Sequence, residues 1–185
     1  MNLPNILTII RISLIPVFII IFADSSAARS QWAALIFIIA SVTDWFDGYF
    51  ARRYGQVTLY GKLLDPVADK LLVLSALVML VEFRRVAAWL AIIIIGREIA
   101  ITGLRAIASS MGTIIAAKEM GKYKTAVQIV AIVFLILDYP VFIFDRHVDL
   151  HSIGTFILWI AAILSVISAF DYFFKFWINM QEKGN

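Results

Sequence analysis

Residues 44–69 read DWFDGYFARRYGQVTLYGKLLDPVAD, and long apolar runs lie on both sides of this segment. Each run is long enough to cross a bilayer, for which a helix needs about 20 apolar residues. Four carboxylates lie within the segment, at Asp44, Asp47, Asp65 and Asp69. Because ionisable groups at membrane depth are costly, such a set indicates a functional site.

The spacing of the four aspartates predicts two helix faces. The first pair is three residues apart and the second pair is four residues apart, and residues at these steps share one face of a helix. Gly48 and Arg52 continue the first face, and Gly61 lies on the second. A glycine has no Cβ, so a phosphate can approach the backbone there. The pattern therefore predicts a divalent-metal site that a phosphate-bearing ligand approaches closely.

The composition predicts an integral membrane protein. The chain has 185 residues, of which 62% are hydrophobic, and its mean hydropathy is +0.92. Soluble domains are nearer half apolar, so we interpret residues 1–185 as a single transmembrane domain. There is no cysteine, so a metal must be held by oxygen, which favours Mg²⁺ or Mn²⁺ over Zn²⁺. The basic residues are scattered between apolar runs, which argues against nucleic-acid binding.

Six apolar segments predict an all-α protein with six transmembrane helices, because a helix satisfies its own backbone hydrogen bonds in lipid. The segments are residues 6–23, 32–50, 63–81, 86–107, 125–144 and 153–178. The end with both termini and the aspartates has nine lysines and arginines, and the other end has four. The positive-inside rule therefore places both termini and the aspartates on the cytoplasmic side of the inner membrane.

The residues leave two interpretations of the aspartates open. In the first, they form salt bridges with the arginines and lysines between Arg52 and Lys70, whose long side chains reach water near the interface. In the second, Asp44, Asp47 and Asp65 bind two divalent cations that clamp a phosphoryl group. Asp69 then lies close by as the general base for an attacking hydroxyl. We favour the second, because salt bridges give no reason for four carboxylates on two facing stripes.

The aspartates belong to a longer pattern of eight positions at fixed spacing. It reads Asp44-x2-Asp47-Gly48-x2-Ala51-Arg52-x8-Gly61-x3-Asp65-x3-Asp69. This pattern is similar to the signature of the CDP-alcohol phosphatidyltransferases, and the chain resembles that family over nearly its whole length.

The resemblance implies a homodimer of six-helix chains with a site on the cytoplasmic side of the bilayer. It also implies that an alcohol displaces CMP from a CDP-linked donor, with Mg²⁺ or Mn²⁺ as cofactor. By the same resemblance, the metal ligands are Asp44, Asp47 and Asp65, with Asp69 as the metal-proximal base. The positions implied to line the CDP-diacylglycerol pocket are Gly48, Ala51, Arg52 and Gly61.

Three polar residues near the N-terminus lie at steps of three, on roughly one helix face: Asn5, Thr8 and Arg11. On the residues alone, Asn5 or Thr8 can cap a helix and Arg11 can reach the interface. The stretch Asn2–Arg11 also resembles the start of the phosphatidylglycerophosphate synthases within the family. That resemblance implies contacts from these three side chains to the diphosphate of CDP-diacylglycerol.

Five basic residues between positions 97 and 124 predict an anionic acceptor. They are Arg97, Arg105, Lys118, Lys122 and Lys124. Only two acidic residues, Glu98 and Glu119, lie in the same region, although an internal ion-pair network stays an open alternative. Glycerol 3-phosphate fits, because its phosphate needs arginine or lysine donors. This region, too, resembles the phosphatidylglycerophosphate synthases.

The sequence thus predicts transfer of the phosphatidyl group of CDP-diacylglycerol to sn-glycerol 3-phosphate, giving phosphatidylglycerophosphate and CMP in phospholipid biosynthesis. Within the family, serine, inositol phosphate or phosphatidylglycerol are alternative acceptors. A divalent-cation transporter is the alternative from another class, because carboxylates in membranes also mark ion pathways. The glycines and the basic cluster argue against it, since a cation path avoids positive charge.

Overall fold

Six helices make up most of the part of the chain that the computed structural model describes, which is residues 3–54, 59–111, 120–143 and 146–184. The helices are α1 (Leu3–Phe22), α2 (Ala27–Tyr54), α3 (Leu59–Glu82), α4 (Ala88–Ser110), α5 (Met120–Leu137) and α6 (Leu150–Gly184). Two short strands, β1 (Pro140–Ile143) and β2 (Arg146–Asp149), form an antiparallel pair between α5 and α6. The prediction of an all-α protein with six helices is confirmed apart from this hairpin.

One helix is long and apolar enough to cross a membrane among the described residues. It is the segment Leu150–Gln181 of α6, with a hydropathy of 2.3. Shorter apolar helical segments are Ile6–Phe22, Ala27–Thr43 and Lys124–Leu137. The six helices are therefore confirmed, whereas six membrane spans stay a prediction.

The hydrophobic core contains buried residues from all six helices. Helix α1 packs on α2 and α3, helix α5 packs on α6 and α2, and α4 packs mainly on α6. Phe18, Phe22 and Phe37 are fully buried, and the ring centroid of Phe18 lies 5.6 Å from that of Phe22 and 6.0 Å from that of Phe37. Each buried aromatic side chain removes a large apolar area from its surroundings, so this cluster fixes how α1 lies on α2.

Arg85 connects the helix ends that lie opposite the aspartate segment. One of its terminal nitrogens donates hydrogen bonds to the carbonyl oxygens of Ile136 (2.6 Å) and Leu135 (3.2 Å). Its Nε lies 2.7 Å from a carboxylate oxygen of Asp138, and its guanidinium lies 5.5 Å from the ring centroid of Phe22. The last carbonyls of a helix have no partner within the helix, so Arg85 satisfies the end of α5 from the turn after α3.

The prediction for the fifth segment, residues 125–144, is wrong at its C-terminal end, because α5 ends at Leu137. Asp138 has a φ of 42°, which is left-handed backbone and stops a helix. Pro140 follows two residues later, and a proline has no N–H with which to continue the helical bonding. The chain then forms the β1–β2 hairpin where the sequence predicted the end of the fifth helix and the connection to the sixth.

Gly154 marks the closest approach of α6 to α5. A Cβ at this position would lie 2.9 Å from Leu135 Cγ and 3.1 Å from the backbone nitrogen of Leu135. We expect Gly154→Ala to lower the free energy of unfolding by about 1–3 kcal/mol, because overpacking forces the two helices apart. Denaturant unfolding of the purified protein in detergent micelles measures this change.

Gly103→Ala is the matched control, because a Cβ at Gly103 meets nothing within 4 Å. Replacing a glycine inside an exposed helix by alanine favours the helix by up to about 1 kcal/mol, so this variant keeps or raises the stability. Equal stability of the two variants would contradict the close packing of α5 on α6.

Candidate functional site

The aspartate segment is divided between the end of α2 and the start of α3, two helices that contact each other. Asp44 and Asp47 lie in the last turns of α2, and Asp65 lies in the first turns of α3. The side chains of these three aspartates lie outside the described residues, whereas that of Asp69 is described. The two helices that the aspartate spacing predicted therefore contact each other. Among the four aspartates, Asp69 is the one whose side-chain surroundings the structure describes.

Other predicted site residues also lie outside what the structure describes. Lys118 lies in the undescribed segment 112–119, and only the helical backbone is described for the others. These others are Asn5, Gly48, Ala51, Arg52, Gly61 and Lys122. Their assignments to the CDP-diacylglycerol pocket and to the acceptor phosphate stay predictions.

Asp69 lies on a cavity between α3, α4 and α5. The half-buried Asp69 lines it together with Glu98 from α4 and Lys124 and Gln128 from α5. The remaining lining residues are Lys70, Val73, Leu74, Ile94, Ile95, Ile99 and Thr125. Polar groups from three helices thus converge on one apolar-walled space, which is the usual form of a small-molecule site.

Glu98 binds two cations at the wall of this cavity. Lys124 Nζ donates to Glu98 Oε2 at 2.6 Å, and a terminal nitrogen of Arg97 donates to the same oxygen at 2.7 Å. The Lys124 side chain is 3% exposed and that of Arg97 is 10% exposed. Two cations against one carboxylate leave a net positive charge, which attracts an anionic ligand.

Arg97 also joins α4 to α6. Its Nε donates to the carbonyl oxygen of Ser165 at 2.9 Å, and its other terminal nitrogen donates to Ser168 Oγ at 3.3 Å. All three nitrogens of this guanidinium thus contact protein groups. The open alternative of an internal ion-pair network is therefore present in the structure, and Arg97 belongs to it.

Arg105 lies apart from the cavity lining. Its guanidinium lies over the ring of Tyr172 on α6, 5.5 Å from the ring centroid, and Tyr172 is buried. An aromatic ring holds a cation over its face by electrostatic attraction. The structure thus brings Lys124 into the cavity with Asp69, whereas Arg105 does not line the cavity and packs against α6.

Thr8 and Arg11 are buried on α1, where they are 1% and 0% exposed. Helix α1 packs on both α2 and α3, the two helices that carry the aspartates. A buried guanidinium is stable only beside hydrogen-bond acceptors or anions. The polar residues Thr8 and Arg11 therefore face the interior of the protein and not water. The prediction that Arg11 reaches out to the interface is wrong for this buried side chain. A contact with a diphosphate stays a prediction.

No group of three or more histidines, aspartates and glutamates lies close enough to hold a metal ion among the described side chains. Three of the four aspartates of the predicted metal site, Asp44, Asp47 and Asp65, are outside that set. The predicted donor set is made of carboxylate oxygens alone, which is the chemistry that Mg²⁺ and Mn²⁺ prefer.

Gln128 has no role among the predictions from the sequence, and the structure places it in the cavity. Gln128 is four residues after Lys124, and residues at this step share a helix face. The sequence did contain a signal for this position. Gln128 is a polar residue one helical turn after a lysine, in a segment that is otherwise largely apolar.

Residues 1–167 match the CDP-alcohol phosphatidyltransferase family. A protein of Bacillus subtilis is 44% identical to the chain, with 95% of each sequence covered. A protein of Haemophilus influenzae is 42% identical, covering 92% of this chain and 91% of the relative. A protein of Rickettsia bellii is 41% identical over 93% of each. All three are named CDP-diacylglycerol–glycerol-3-phosphate 3-phosphatidyltransferase.

Replacing Glu98 tests the buried ion-pair network. We expect Glu98→Gln to lower the free energy of unfolding by about 2 kcal/mol, because Lys124 and Arg97 both lose their anionic partner in a largely apolar region. The partial exposure of Glu98 keeps the loss below that of a fully buried pair. Denaturant unfolding in detergent micelles measures the difference.

Asp171→Asn is the control, because it removes an ion pair from the outer surface of α6 and not from the interior of the protein. Asp171 and Lys175 lie four residues apart on α6 with 2.7 Å between their charged atoms, and both side chains are more than a third exposed. We expect this variant to lose less than about 1 kcal/mol. An equal loss of unfolding free energy in both variants would contradict the claim that the Glu98 ion pairs stabilise the fold more than the Asp171–Lys175 pair does.

Proposed function

We propose, from the premise that the chain belongs to the CDP-alcohol phosphatidyltransferase family, that it transfers the phosphatidyl group of CDP-diacylglycerol to sn-glycerol 3-phosphate and releases CMP. The match over residues 1–167 confirms the family that the pattern from Asp44 to Asp69 predicted. The observation that carries the acceptor is the name shared by relatives at 41–44% identity over more than nine-tenths of the chain. Family membership also favours a transferase over the divalent-cation transporter.

The reaction needs one bond to form and one to break. A hydroxyl oxygen of glycerol 3-phosphate attacks the phosphorus that bears the diacylglycerol, and the phosphoanhydride bond to CMP breaks. Asp69 accepts the hydroxyl proton as general base, because it lines the cavity that also contains the cationic group Lys124. The electron pair of the broken bond leaves on the phosphate of CMP.

Lys124 is the described residue best placed to bind the acceptor phosphate. It lines the cavity with Asp69, and its ammonium has three donors, of which Glu98 accepts one. Arg97 acts as a positioning residue, since its nitrogens hold Glu98 and α6. Lys118, Lys122 and Arg105 are proposed as further cations near the entrance, where they attract the acceptor.

Asp44, Asp47 and Asp65 are proposed to hold two divalent cations, with Asp69 close by. The support is the oxygen-only donor set and the contact between α2 and α3, which carry these residues. When bound, such cations neutralise the diphosphate of the donor.

Removing the cations tests this proposal. Excess chelator should abolish CMP release, and added Mg²⁺ or Mn²⁺ should restore it. Undiminished CMP release in excess chelator would contradict the proposal.

We place the chain in the inner membrane with both termini and the site on the cytoplasmic side. The support is α6, which is long enough to cross a bilayer, and the nine-to-four division of lysine and arginine. The acyl chains of the donor then stay in lipid while its CDP group enters the site. Gly48, Ala51, Arg52 and Gly61, with Asn5, Thr8 and Arg11, are proposed to bind that group, and a homodimer is proposed from the family resemblance.

Asp69→Asn tests the general base. We expect CMP release from CDP-diacylglycerol and glycerol 3-phosphate to fall by about 100-fold or more, because an amide cannot accept the proton at neutral pH. The asparagine is nearly isosteric, so the variant should fold and bind CDP-diacylglycerol as the wild type does. Steady-state CMP release in mixed micelles and a donor-binding measurement together check both statements.

Asp24→Asn is the control for removing one carboxylate. Asp24 lies in the exposed turn between α1 and α2, where it accepts a hydrogen bond from the backbone nitrogen of Ser26. Its replacement should leave CMP release unchanged. A wild-type rate in Asp69→Asn would remove Asp69 as the base.

A further inference from the structure

Gln128 is a buried residue whose amide has no hydrogen-bond partner in the part of the chain that the structure describes. Its side chain is on α5, the residue is 5% exposed, and it lines the cavity with Asp69 and Lys124. A primary amide has one carbonyl acceptor and two N–H donors. The amide atoms of Gln128 are not among the fully enclosed polar atoms without a partner, so they face the open space of the cavity, where a bound molecule can reach them. A polar group on an apolar-walled cavity is favourable when a ligand there forms hydrogen bonds with it, so its presence calls for a reason.

Packing alone does not supply that reason. The next residues on the buried face of α5 are Ala131, Ile132 and Leu135, which are fully buried and apolar. An apolar side chain of similar length at position 128 would fill the same space without losing the hydration of an amide. The buried face of α5 is thus polar at Lys124 and Gln128, both of which line the cavity, and apolar beyond them.

Glycerol 3-phosphate has one group that the proposed mechanism leaves unassigned. Its phosphate is assigned to Lys124 and its attacking hydroxyl to Asp69, which leaves the second, non-reacting hydroxyl. A hydroxyl both donates and accepts a hydrogen bond, and an amide can do the same in return. Gln128 lies one helical turn from Lys124, at about 5–6 Å between Cβ atoms, which a three-carbon chain can bridge.

We infer that Gln128 is a specificity-determining residue, whose amide hydrogen-bonds the non-reacting hydroxyl of the acceptor in the cavity between α3, α4 and α5. This inference rests on the proposed function. It means that the protein selects a phosphorylated diol over a phosphorylated mono-alcohol of the same length. A site built to bond a hydroxyl rejects the analogue that lacks it, because the buried polar group is then left unpaired.

The test compares two acceptors on two forms of the protein. The acceptors are glycerol 3-phosphate and 3-hydroxypropyl phosphate, which has the same chain without the secondary hydroxyl. We expect the wild type to prefer glycerol 3-phosphate by about tenfold or more in kcat/KM for CMP release. In Gln128→Met, whose side chain is unbranched and of similar length, the ratio should fall to about one through a loss on glycerol 3-phosphate. The KM for CDP-diacylglycerol should stay the same.

Gln31→Met is the matched control, because it makes the same chemical change far from the cavity. Gln31 is exposed near the start of α2, and its amide nitrogen lies 3.4 Å from the hydroxyl of Tyr139. This variant should keep the wild-type preference. Gln128→Asn keeps the amide on a shorter side chain and should show an intermediate ratio.

Several outcomes would overturn the inference. Equal kcat/KM of the wild type for both acceptors would overturn it without any variant. Three results with Gln128→Met would also overturn it: an unchanged preference for glycerol 3-phosphate, an equal loss of kcat/KM on both acceptors, or a change confined to the KM for CDP-diacylglycerol. A wild type that releases no CMP with glycerol 3-phosphate contradicts the proposed function itself, whereas turnover without the preference contradicts only the role of Gln128.

Discussion

One carboxylate oxygen, Glu98 Oε2, accepts hydrogen bonds from Lys124 and Arg97, and the side chains of these two cations are only 3% and 10% exposed. Neither cation is stable there alone, because a buried unpaired charge costs several kcal/mol. Since Arg97 also bonds the backbone of α6, the arrangement sets the positions of α4, α5 and α6 relative to one another. The cavity beside Asp69 exists because these helices are held at that spacing.

The two ends of the helix bundle use arginine in different ways. At the end opposite the aspartates, Arg85 satisfies the last carbonyls of α5 and pairs with Asp138, so its charge serves the fold. Beside the cavity, Arg97 orients a carboxylate that in turn holds Lys124. The fold thus leaves Lys124, which is held by Glu98, on the wall of the cavity, which Lys70 also lines.

The family and the helical fold could be predicted because they depend on local spacing. The pattern from Asp44 to Asp69 predicted the family, and the apolar segments predicted six helices. The end of α5 was missed, since a left-handed Asp138 before a hairpin depends on its partners Arg85 and His151 from other parts of the chain. The hydrogen bonds from Arg97 to α6 were also unpredictable, because Ser165 and Ser168 lie about 70 residues away in sequence.

The central claim is that this site releases CMP from CDP-diacylglycerol when glycerol 3-phosphate is the acceptor. The most direct measurement is CMP release by the purified protein in mixed micelles with Mg²⁺, with glycerol 3-phosphate, serine, inositol phosphate or phosphatidylglycerol offered singly. We expect release with glycerol 3-phosphate and only background with the others, together with one phosphatidylglycerophosphate formed per CMP. Faster release with another acceptor, or no release with any of them, would contradict the claim.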